Sequence, residues 1–135
     1  MRRWLLPALA YFAVVFALGF VLGVLRELFL TPRWGRGPAI LIELPLMIAA
    51  SVLAARWVVM RWKLASPQLA WYIGLTAFAM LLVAEYLIAL VTSGASPLQF
   101  VKEATSPPNL PGLAAQVLFA LLPYLVVATC RSQVQ

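Results

Sequence analysis

The chain has 135 residues, of which 64% are hydrophobic and 10% charged, with a mean hydropathy of +0.98. That balance excludes an ordinary soluble domain and points to an integral membrane protein of several spans. Lys and Arg outnumber Asp and Glu by 10 to 4, but the apolar background leaves no solvated basic face for nucleic acid, so the expected partners of the positive charge are membrane lipids with anionic head groups.

The first predicted element runs from about Trp4 to Leu30 and is expected to stop at Thr31-Pro32. It follows Met1-Arg2-Arg3, which resembles the start of a secretory signal. The apolar run is too long for that, and no small-x-small cleavage site follows, so the expectation is a retained first transmembrane helix. The second helix is expected from about Pro38 to Val59, with Pro38 in the helix-opening position. The third begins near Pro67 and ends around Thr92, and the fourth spans about Leu110 to Thr129. Each approaches or exceeds the roughly 20 residues that cross ~30 Å of hydrocarbon. The reading is an all-α, four-helix transmembrane bundle forming a single domain over residues 1–135.

The first two connections, Thr31 to Gly37 and Arg61 to Ser66, are short and basic, so helices 1–2 and 2–3 are expected to be antiparallel neighbours. The third, Ser93 to Asn109, contains Pro97, Pro107 and Pro108 and is expected to be irregular, with Lys102 and Glu103 solvated. Arg2, Arg3, Arg56, Arg61, Lys63 and Arg131 fall on the face that carries both termini, against Arg33, Arg36, Lys102 and the nearby Arg26 on the other. By the positive-inside rule both termini are expected in the cytoplasm. Trp4, Trp57, Trp62, Trp71 and Tyr72 would then form the cytoplasmic aromatic belt, with Trp34 on the far side.

Glu43 and Glu85 lie inside spans that are otherwise apolar, where an unpaired charge costs at least a few kcal/mol. Counting from the helix ends at about 1.5 Å per residue puts both roughly 8–10 Å below the face of loops 1 and 3. Arg26 and Glu27 in helix 1 and Gln116 in helix 4 fall at a similar depth, so every helix contributes to one shallow polar layer. Gly19, Gly23 and Glu27 share a face at intervals of four, and Gly19-x-x-x-Gly23 is a pattern that admits a close helix neighbour or a second copy of the chain. Glu43, Met47, Ala50 and Ala54 form a stripe in helix 2, and Gly74, Phe78, Leu81 and Glu85 align in helix 3. Pro45 and Pro123 interrupt helices 2 and 4, each removing a backbone donor.

Two readings of the layer stay open. In one, Arg26 pairs with Glu43 or Glu85 and the network only locks the bundle, as in an accessory subunit of a larger membrane complex. In the other, Arg26, Glu27, Glu43, Glu85 and Gln116 form a site, open to the non-cytoplasmic side, for a proton, a cation or a polar head group, as in a small transporter or binding protein. Three carboxylates near one arginine favour the second, and at least one of them is expected to hold a proton. Arg33 and Arg36 either anchor to lipid phosphates or form an anion-recognising rim. With no histidine and only Cys130, no metal or cofactor site is expected, and no nucleophile with a paired base points to an enzyme.

The run Gly19-Phe-Val-Leu-Gly-Val-Leu-Arg-Glu-Leu-Phe-Leu-Thr-Pro-Arg-Trp-Gly35, continued by Glu43-Leu-Pro-Leu-Met47, resembles a pattern in a family of small four-helix bacterial inner-membrane proteins. The resemblance covers about the first third of the chain; it implies a bacterial inner-membrane location and supplies no activity. In size and layout the chain is also similar to the small multidrug resistance transporters, whose antiparallel dimers exchange protons for cations at a glutamate in helix 1. It departs from them in having no acid at mid-depth in helix 1 and a longer third loop.

Overall fold

The computed structural model describes residues 3–134; Arg2, one of the charges assigned to the terminal face, lies outside the described residues. The chain is an all-α bundle with no strand among the described residues. Four of its helices are long and apolar enough to cross a membrane, as in a multi-pass membrane protein. They are α1 (Leu5–Trp34), α2 (Arg36–Arg61), α3 (Pro67–Ser93) and α5 (Leu110–Ser132, entered through a 3-10 turn at Pro107–Asn109). A short helix, α4 (Pro97–Ala104), precedes α5.

The ends of these helices correct two sequence expectations. Helix α1 does not stop at Thr31-Pro32. It passes through a π-helical turn at Arg26–Leu30, where the Thr31 N–H reaches the Arg26 carbonyl, and resumes as α-helix over Thr31–Trp34. Pro32 thus falls in the first turn of a new helical segment, where its missing N–H costs little. The chain turns at Gly35 alone, with φ 84° and ψ 170°, a conformation that glycine adopts without a Cβ clash. The third connection is also more ordered than its prolines imply. The Ser96 hydroxyl accepts from the Gln99 N–H and the Gln99 side chain accepts from the Ser96 N–H, a reciprocal cap that starts α4.

The packing corrects a third expectation. Helices α1 and α2 are neighbours, but α2 and α3, although joined by a short link, hardly touch. Helix α5 seats against both of them on one side and α1 against both on the other. Lys63, within the link, sits in the left-handed region at φ 51°. Small residues recur on the packed faces: Ala54 and Ala55 on α2, and Ala70, Gly74 and Ala77 on α3, are all buried. At Gly74 an added Cβ would collide with the Ala120 carbonyl oxygen, so this is where α3 and α5 approach closest through backbone.

One half of the bundle is closely packed. Tyr11, Val15, Val58, Ala77, Phe119 and Leu122 form its core, with Tyr11 fully buried. Pro123 lacks the N–H that would bond the carbonyl four residues before it, which is that of Phe119. The Tyr11 hydroxyl donates to the Phe119 oxygen at 2.7 Å, and the Tyr11 and Phe119 rings stack at 4.3 Å. A proline in α5 is thus satisfied by a tyrosine reaching across from α1, so Pro123 has a specific partner. Outside the bundle Leu46, Leu53, Val83 and Val91 are exposed, as suits a surface solvated by lipid tails.

Two variants test this packing. Tyr11→Phe is expected to cost about 1 kcal/mol by stranding the Phe119 carbonyl. Gly74→Ala is expected to cost more, in the range of about 1–3 kcal/mol, because α3 and α5 must separate. Unfolding in a denaturing-detergent titration followed by circular dichroism measures both.

Candidate functional site

The other half of the bundle, toward the α1–α2 turn and α4, is open. A cavity of about 610 Å³ lies between the four long helices, and each contributes to its wall. Its inner end is apolar, formed by Val15, Phe16, Met47, Leu81 and Phe119, with the buried Ser51 among them. Its outer end carries Arg26, Glu27, Glu43, Glu85 and Gln116, the full set expected from sequence. The volume lies within the roughly 300–1,000 Å³ range of small-molecule sites, and an apolar wall with a few convergent polar groups is their usual composition.

The polar end is organised by Arg26. Its Nη1 donates to Glu43 Oε2 at 2.7 Å and its Nε to Glu27 Oε1 at 3.3 Å. The side chains of Arg26 and Glu43 are 22% and 10% exposed, so the pair tying α1 to α2 is well shielded, whereas Glu27 is half exposed at 51%. Adjacent residues on a regular helix diverge by about a third of a turn. Arg26 instead enters the π turn, and its length lets one guanidinium serve both its sequence neighbour and Glu43 across the interface. Of the two partners left open for Arg26 by the sequence, the structure selects Glu43.

Glu85 stands apart on α3. The Gln116 amide donates to its Oε1 at 2.7 Å, which links α3 to α5, and no salt bridge reaches Glu85 among the described residues. The layer is therefore two clusters facing one cavity: an arginine shared by two carboxylates, and a carboxylate held by a neutral amide.

The glycines of α1 open this space. Gly19 and Gly23 both line the cavity. A Cβ at Gly19 would come within 3.1 Å of Met47 Cε, and one at Gly23 would meet nothing closer than Arg26 Nη2 at 3.9 Å. Here the small-x-x-x-small pattern leaves room for Met47 and for the cavity.

Arg33 and Arg36 do not line the cavity. Arg36 Nη1 lies 3.3 Å from Glu103 Oε1, an exposed pair that fastens the start of α2 to α4, so Glu103 is not merely solvated as its sequence context implied. Ser51 and Thr92, which line the wall, were not singled out from sequence. Ser51 was legible: Glu43, Met47 and Ser51 recur every four residues and so share a helical face. Among the described residues no group of His, Cys, Asp and Glu is arranged to hold a metal ion.

Replacing Arg26 by Met leaves Glu43 buried without its partner and is expected to destabilise the bundle by about 3–5 kcal/mol. The double variant Arg26→Met/Glu43→Leu is expected to recover most of that loss, as a detergent-unfolding cycle of the four proteins would measure. Comparison of the chain with protein-family models, curated proteins and solved structures finds no match, so a functional reading has to start from the geometry of this cavity.

Proposed function

We propose that this is a small membrane-embedded binding protein or transporter whose cavity takes an amphiphile, its polar head group held in the Arg26–Glu27–Glu43–Glu85–Gln116 layer. One observation carries the reading: a single cavity joins that polar layer to an apolar chamber lined by Phe16, Met47, Leu81 and Phe119. A free proton or a hydrated metal cation would need only the polar end. A ligand with a tail would use both.

The positive-inside balance supports an inner-membrane orientation with both termini in the cytoplasm, so the polar end opens toward the non-cytoplasmic side. Arg3, Arg56, Arg61, Lys63 and Arg131 belong to the end of the bundle away from the cavity mouth. Lipids are then both the solvent of the protein and the natural reservoir of its ligand.

A second reading, an accessory subunit of a larger membrane complex with a purely architectural layer, is favoured by one observation: Arg26 is already paired with Glu43. It leaves unexplained a cavity that Glu85 faces without a salt bridge among the described residues.

Gly23→Leu separates the two. Leucine is a better helix former than glycine, and a Cβ at this cavity-lining position meets nothing closer than Arg26 Nη2 at 3.9 Å, so the variant is expected to fold while filling the cavity. Native mass spectrometry of protein taken from membranes in a mild detergent is expected to find a bound amphiphile on the wild type and about tenfold less on Gly23→Leu. Equal loading of the two proteins, or none on either, counts for the architectural reading.

A further inference from the structure

Building on the amphiphile reading, we propose that the ligand's head group is cationic, an ammonium, and that Glu85 is the carboxylate on which it docks. The charges facing the cavity come from three helices: Arg26 and Glu27 on α1, Glu43 on α2 and Glu85 on α3, while α5 contributes the neutral Gln116. Arg26 gives Nη1 to Glu43 at 2.7 Å and Nε to Glu27 at 3.3 Å. The one guanidinium is thus outnumbered within its own cluster and makes no salt bridge with Glu85. An anionic head would meet three carboxylates against a single guanidinium already paired with two of them. An ammonium supplies the positive charge that Glu85 lacks.

The surroundings of Glu85 fit that role. Gln116 donates to one of its oxygens at 2.7 Å, fixing the carboxylate without neutralising it. The other oxygen has no hydrogen bond among the described residues and is not a buried orphan, so it is accessible to a ligand. The apolar wall lowers the local dielectric, so a charge pair there is stronger than one in water. It also accommodates the chain that brings the amine to this depth.

Two probes of equal chain length test the assignment: dodecylammonium and dodecanol, titrated calorimetrically into the protein in nanodiscs of zwitterionic lipid. Binding to the site is taken as the part that Gly23→Leu abolishes, which removes simple partitioning into lipid. Wild-type protein is expected to bind dodecylammonium about tenfold or more tightly than dodecanol, the scale of one charge-assisted contact. Glu85→Gln is expected to level the two affinities, and Glu85→Asp to retain part of the preference. Equal binding of both probes to the wild type would overturn the cationic head while leaving the amphiphile reading standing. A preference that survives Glu85→Gln would overturn the assignment of Glu85, and the absence of saturable binding by either probe would overturn both readings. The wild-type comparison needs no carboxylate variant to fold.

Discussion

The contact between Arg26 and Glu43 fixes the open half of the bundle. Neither group is affordable alone at membrane depth, and the geometry that unites them shapes everything around them. Arg26 enters a π turn, which carries α1 past Pro32 without a break and brings Gly35 to where one residue can reverse the chain. Helix α2 then starts close enough for Glu43 to meet the guanidinium at 2.7 Å. The pair holds α1 and α2 together at a level where Gly19 and Gly23 provide almost no side-chain contact.

The packed half supplies the complementary constraint. Tyr11, Phe119 and Pro123 act as one unit: the proline releases a carbonyl, the tyrosine hydroxyl takes it up, and the stacked rings fill the bundle centre. Val15 and Phe119 belong both to this core and to the apolar end of the cavity. The floor of the chamber is therefore part of the most tightly packed region, while its mouth is bounded by charged and amide side chains. A cavity so placed has a rigid inner end and an adjustable outer one, since Glu27 is half exposed and α4 is fastened to α2 by an exposed ion pair. Exposed pairs of that kind contribute little to stability and separate readily.

Much of this was legible in the chain because bilayer thickness and helical rise turn position into depth. That count placed Arg26, Glu27, Glu43, Glu85 and Gln116 in one layer, and the structure assembles those five around one cavity. Depth does not determine azimuth or neighbours, however. Short links implied that α2 packs on α3, but buried alanines and Gly74 let α5 sit between them. The π turn at Arg26–Leu30, which ends just before Pro32, has no simple sequence signature. The cap that begins α4 was readable as Ser96-x-x-Gln99, and the prolines around it masked it. Nor does a glycine pattern declare its use: the same spacing serves a close helix contact or an internal space.

The charge balance of the layer bears on whether the site is only structural. A network selected solely to lock a bundle needs matched charges, since each surplus ion adds desolvation cost without an attraction to offset it. Arg26 with Glu43 alone would meet that need, and Gln116 would bond a neutral glutamine on α3 as well as it bonds Glu85. Glu85 is thus surplus to the architecture, as is the volume of the cavity it faces, on whose wall Gly23 leaves a side chain out. Surplus charge and surplus space coincide on one wall of the same cavity. A ligand that supplies a positive charge and an apolar tail satisfies both at once, whereas a proton on Glu85 would satisfy the charge and leave the chamber unexplained.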